Sequence, residues 1–181
     1  LIDINMGCPV PKVRKTGAGA QLLRDPEMAI ALARAARDGS GLPVTVKLRS
    51  GIEAGDRSGF DLAVRLAEEA GVAAIGFHPR AASKGHKGLP DYALTRELTE
   101  RIEVPVIVSG GLSGAAAARQ AYEESGADAV MIARGSLGNP WVFEELTGRR
   151  AAPPSQAEVA EELLWVVDRA EEHLGPERAE R

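Results

Sequence analysis

The chain has 181 residues, with 22 basic and 26 acidic side chains for a net charge of -4, and it is 44% hydrophobic and 27% charged. Such a composition is that of a globular protein and excludes a disordered chain or a collagen-like repeat. No apolar run approaches the ~20 residues of a membrane-spanning helix, and a single Cys excludes an internal disulfide framework and fits a reducing cytoplasm, the expected location.

Short β-branched apolar runs recur at Leu1–Asn5, Pro43–Leu48, Ala73–His78, Pro105–Ser109 and Ala127–Ala133, each followed by a segment with helical spacing. The first reads as a buried strand. Because the chain opens inside it, at Leu1, the sequence is expected to be a piece of a longer protein. Asp25-Pro26 supplies an N-cap and a proline at the first helical position, and Gly39 is expected to end that helix. Gly71 and Gly126 follow the next helical stretches, and Asp91 caps a helix through Leu98. Five successive βα units without hairpins point to an α/β fold, either a doubly wound sheet or part of a (β/α)8 barrel. Gly148 to Pro154 has the composition of a linker. Ser155 and Glu158 then form a capping box ahead of an apolar stripe at Val159, Leu163, Val166, Val167, Ala170 and Leu174. The expected organisation is a barrel portion over 1–147, a linker over 148–154 and the start of an all-α domain over 155–181.

In barrel enzymes the chemistry sits at the C-terminal strand ends. Those ends read Asn5 then Cys8, Lys47 then Arg49, His78 then Arg80, Ser109-Gly110-Gly111, and Ala133-Arg134-Gly135. The last two lead into helices, so their backbone N–H groups suit a phosphate, although glycines also serve simply to permit tight turns. Two such turns together with Arg134 favour phosphate. Lys47 ends an apolar strand and needs an anion, which a cofactor or a structural carboxylate would equally supply. His78 gains weight from its strand-end position beside Arg80, a context that His86 and His173 lack. No metal-ligand spacing occurs, so no metal is expected. Cys8 lies in a glycine-containing turn followed by Lys12, Arg14 and Lys15, which suit a polyanion. A thiol there serves as a nucleophile or as a general acid.

The run Asp3-Ile4-Asn5-Met6-Gly7-Cys8-Pro9 is followed by Val44-Thr45-Val46-Lys47-Leu48-Arg49 and His78-Pro79-Arg80. Val106 to Gly111, Met131 to Gly135 and Gly138-Asn139-Pro140-Trp141 come next. In that order these segments resemble the tRNA-dihydrouridine synthase family, in its bacterial B-type branch. The resemblance implies an FMN-dependent TIM barrel that reduces the C5–C6 double bond of selected tRNA uridines to 5,6-dihydrouridine. NADPH or NADH is the implied reductant and tRNA the partner, with no membrane association and a monomeric state. Hydride would pass from the flavin to C6 while Cys8 protonates C5. The implied cofactor residues are Lys47, His78, Ser109, Gly110, Gly111, Ala133 and Arg134. Asn5, Arg49 and Arg80 are the implied substrate residues. Ser109 stands where the family often has Asn, and Ala133 where it often has Gly. About three further barrel strands and most of the helical domain are expected outside this chain, which by itself is expected to be inactive. An alternative is another FMN barrel acting on a small pyrimidine, in the manner of a dihydroorotate dehydrogenase.

Overall fold

A computed structural model describes residues 1–175. Five parallel strands form one sheet: β1 Ile2–Asn5, β2 Val44–Arg49, β3 Ala74–His78, β4 Val106–Ser109 and β5 Ala129–Met131. Their spatial order is the order of the chain, β1-β2-β3-β4-β5. A doubly wound sheet reverses direction at a switch point, whereas a barrel wall adds each strand beside the last. The sequential order therefore decides for βα units of the (β/α)8 type. The register sets Asn5 opposite Lys47, Arg49 opposite His78 and Ser109 opposite Met131, which brings the polar strand ends to a single edge.

The helices between the strands are α1 Pro11–Arg14, α2 Pro26–Ser40, α3 Ser58–Arg65, α4 Tyr92–Arg101 and α5 Ala115–Ser125. A π-helical turn, Leu66–Ala70, continues α3. Successive helices pack side by side, α2 against the end of α3, α3 against α4, and α4 against α5. Helices α2 to α5 each bury one face: Ala29, Ile30 and Ala33 on α2, Leu62 and Ala63 on α3, Leu98 on α4, Ala118 and Ala121 on α5. Those of α2, α3 and α4 share one core with Val46, Leu48, Ile75, Phe77 and Val106 of the central strands. Each fully buried large side chain contributes about 1.5–3 kcal/mol of hydrophobic stabilisation.

The caps follow from residue type. Asp25 Oδ1 accepts from Met28 N at 3.0 Å, and Asp91 Oδ1 accepts from Leu94 N at 3.0 Å. Helix α2 runs through Gly39 and ends at Gly41, which takes the left-handed conformation at φ 65° and donates to Arg37 O. Position, not glycine alone, decides: the cap forms where the chain must turn into β2. The first strand also departs from expectation. Among the described residues β1 pairs only with β2, and its side chains alternate between half-buried and exposed, whereas β3 is buried throughout.

The chain divides into two compact units, Leu1–Pro140 and Trp141–Arg181. The division falls ahead of α6, Val142–Leu146, so that short helix belongs with the second unit. There, α7 (Gln156–Leu174) opens on the capping box: Ser155 Oγ accepts from Glu158 N, and Glu158 Oε2 accepts from Ser155 N. Arg150 ties the unit together by pairing with Glu144 at 3.1 Å and Glu158 at 2.7 Å. The expected helical segment 155–181 includes residues 176–181, which lie outside the described residues. No helix among the described residues is long and apolar enough to cross a membrane.

Candidate active site

The aligned strand ends enclose a cavity of about 560 Å³ in the first unit. Its wall includes Asn5, Cys8, Lys47, Arg49, His78, Ser109, Gly110, Gly111, Ala133 and Arg134, so ten of the eleven residues expected from the sequence line one space. Arg80 does not. It lies behind His78 and faces a second hollow. His86, Leu112 and Met131 join the lining without having been expected.

The turn after β1 is built around Asn5. Its Oδ1 accepts from both Gly7 N and Cys8 N, each at 3.0 Å, which is the local bonding that makes Asn a turn residue. Met6 between them is completely buried and its N–H bonds to Lys47 O at 2.9 Å, pinning the turn to β2. Ala20 N donates to Cys8 O at 3.0 Å. Gly19 must be glycine there, because at φ +60° a Cβ would stand 2.7 Å from that same oxygen. Cys8 is thus held from both sides and stays half-buried at the cavity wall, with its thiol free.

Lys47 crosses the mouth of the sheet and donates from Nζ to Ser109 Oγ at 2.8 Å. Gly76 on β3 makes room for it, since a Cβ there would sit 3.2 Å from Lys47 Cγ. Among the described residues no carboxylate is within ion-pair distance of Nζ. Burial, and then the charge of Arg49, bring the ammonium down to about 8, against a smaller opposing pull from Asp3. The structural ion pair is therefore absent at Lys47 among the described residues, and the cation is left for a ligand.

Arg49 is buried and spends its donors on backbone: Nε to Gly7 O at 2.9 Å, Nη1 to Ala81 O at 3.3 Å and Gly85 O at 2.8 Å. It clamps the Cys8 turn to the loop after β3. Arg80 does the same further along, bonding Gly88 O at 3.1 Å through Nε. Its Nη1 lies 3.2 Å from His78 Nε2. A guanidinium only donates, so Nε2 accepts and the ring proton sits on Nδ1. Burial, with Arg49, Lys47 and Arg80 around it, pushes His78 down to about 3, so the ring is neutral at physiological pH. The loop clamped by the two arginines carries His86, whose ring centroid is 6.4 Å from that of His78. Nothing in the local sequence marks His86; only the clamped loop sets this exposed side chain at the cavity rim.

The far wall is backbone. Gly110 at φ +95° and Gly111 at φ +80° follow β4, and a Cβ on Gly110 would meet His78 Nε2 at 2.3 Å. Tyr92 Oη donates to Gly110 O at 2.8 Å and fixes the turn. Gly135, in the 3-10 turn after β5, packs so closely that a Cβ would meet Leu112 O at 2.2 Å. Two glycine turns thus interlock into a cradle beside Arg134. Among the described residues the lining holds Lys47, Arg49 and Arg134 but no Asp or Glu. A carboxylate-free space with three cations and a backbone cradle favours an anion.

Residues 1–178 match a family model described as dihydrouridine synthase. The tRNA-dihydrouridine synthase B of Xanthomonas axonopodis pv. citri (strain 306) is 38% identical over 169 residues, which cover 91% of this chain and 51% of that protein. A probable tRNA-dihydrouridine synthase of Mycobacterium leprae (strain TN) is 41% identical, covering 88% of this chain and 44% of that one. A crystal structure of DHODH in complex with ferulenol from Eimeria tenella aligns with a TM-score of 0.49 at 18% identity, covering 98% of this chain and 52% of that chain. The chain spans about half the length of the curated relatives it matches.

Proposed function

The chain belongs to the dihydrouridine synthase family, and from that premise we propose that the whole protein reduces the C5–C6 double bond of uridines in tRNA, with FMN as cofactor and NADPH or NADH as reductant. The observation that carries this reading is the cavity itself: three cations, no carboxylate, a glycine cradle on one wall and a held cysteine on another.

The residues present fit an FMN. Lys47 is a half-buried ammonium with no carboxylate partner among the described residues, and the turns at Ser109-Gly110-Gly111 and Ala133-Arg134 offer N–H groups and a guanidinium to a phosphate. When bound, FMN supplies hydride transfer to the pyrimidine. Lys47 gives positive charge beside the cofactor ring, and neutral His78 presents its Nδ1–H. Asn5 positions Cys8 through the two turn hydrogen bonds. Cys8 delivers its thiol proton to C5 as hydride arrives at C6, so that one C–H bond forms at each carbon and the thiol becomes thiolate. Arg49 holds the Cys8 turn in place through its bond to Gly7 O. Arg80 acts as a positioning residue behind His78. The target uridine must leave its stack to reach Cys8, as in other base-modifying enzymes. The barrel portion over 1–147 and the helical segment from 155 are read as the catalytic and tRNA-gripping parts of one protein.

The test is substrate choice. The full-length protein, loaded with FMN and supplied with NADPH, is offered unmodified tRNA or a free small pyrimidine. Dihydrouridine detected in digested tRNA is expected. Turnover confined to the free pyrimidine overturns the tRNA reading.

A further inference from the structure

Beside the central cavity is a second hollow of about 500 Å³, between the loop after β2 and the loop after β3. Its wall carries Arg57, Arg80, Lys84 and Lys87 against Asp56 and Asp91. Both carboxylates are spent locally. Asp56 accepts from Ile52 N at 2.6 Å and from Ser58, and Asp91 caps α4. Arg57 is paired with Glu97. Lys84 and Lys87 are exposed and, among the described residues, make no ion pair. The hollow therefore has a surplus of positive charge with two uncommitted ammonium groups. Between them and the helix stands Leu89, 93% exposed, an apolar side chain left in water on a basic rim.

The two spaces share a wall. His78 faces the cavity, and Arg80, 3.2 Å behind its Nε2, faces the hollow. The loop between them is clamped at Gly85 by Arg49 and at Gly88 by Arg80, so the lysines stand on a fixed rim. A uridine that enters the cavity while still joined to its neighbours must carry its flanking phosphates over such a rim.

We propose that the second hollow binds the backbone phosphates of the RNA strand next to the target uridine, through Lys84 and Lys87. This rests on the tRNA reading above. Phosphate neutralisation releases counterions, so each contact adds about 0.7 to the slope of log affinity against log salt for a single strand.

Binding of unmodified tRNA to the full-length protein is titrated across a series of KCl concentrations for wild type, Lys84→Gln/Lys87→Gln and Arg101→Gln. Arg101 loses the same kind of charge at the C-terminal end of α4, away from the strand-end loops, where it pairs with Glu68. The double variant is expected to bind about tenfold more weakly near 0.1 M salt, with a slope shallower by about 1.4, while Arg101→Gln binds like wild type. Both lysines are exposed, so the variant is expected to keep the wild-type melting curve. Wild-type affinity and slope in the double variant overturn the subsite, as does an equal loss in Arg101→Gln, which would mean bulk charge. Unchanged tRNA binding with a raised KM for NADPH assigns the lysines to the dinucleotide and also overturns it. A wild-type protein that binds no tRNA defeats the reading beneath the proposal, whereas a wild type that binds and a double variant that matches it defeat the subsite alone.

Discussion

Lys47 carries its charge into a space that gives it a hydroxyl and neighbouring cations, with the ammonium brought down to about 8. An anionic ligand prefers the ammonium form, so affinity is full below that value and falls as pH rises through it. For the apo form of the full-length protein, the FMN dissociation constant is expected to be flat around pH 7. Above pH 8 it is expected to rise by up to about tenfold per pH unit. Lys47→Met is expected to bind FMN more weakly with no rise over that range; a rise unchanged in the variant would assign the titration to another group. Cys8 is governed by contacts rather than by charge alone. Asn5 holds its N–H, Ala20 its carbonyl, and Gly19 leaves the space beside it.

At the scale of elements, the glycine turn after β4 joins backbone geometry to site chemistry. Gly110→Ala would force a side chain into a left-handed conformation and against the His78 ring. A cost of about 1–3 kcal/mol for the conformation alone is expected as a lowered melting temperature, together with loss of FMN binding. Gly114→Ala, at φ 176° with open space around it, is expected to change stability by less than about 0.5 kcal/mol. Equal melting of the two variants would contradict the close packing of Gly110 on His78. The strands, the Asp25 and Asp91 caps and the Ser155 capping box were legible in the sequence because each depends on a few adjacent residues. The end of α2 falls at Gly41 rather than at Gly39 because either glycine satisfies the local preference, and only the path into β2 chooses. Arg49 and Arg80 are the harder case. Both follow strand ends and look alike in the sequence, yet one lines the cavity and the other faces away from it, through carbonyls of a loop whose course no local pattern specifies. His86 comes to the cavity rim by the same route. Its flanking residues carry no signal, because the clamp that orients it is made by residues distant in the chain.

For the whole molecule, a net charge of -4 conceals a cavity lined by cations and a neighbouring basic rim. Recognition of a polyanion depends on where charge is placed, and the acidic surplus lies elsewhere on the chain. The sequential strand order brings Asn5, Lys47, His78 and Ser109 from four strands to one edge, so the chemistry belongs to the sheet rather than to any segment. The step proposed at that edge is protonation of the uridine by Cys8. The direct measurement is a single turnover of full-length Cys8→Ala: the FMN-loaded variant is reduced with NADPH, mixed with unmodified tRNA, and dihydrouridine is followed by mass spectrometry of the digested RNA. Flavin reduction and tRNA binding at wild-type levels are expected, with dihydrouridine formation slowed by at least about 10²-fold, the usual contribution of a positioned general acid. Dihydrouridine formed at the wild-type rate would contradict the account.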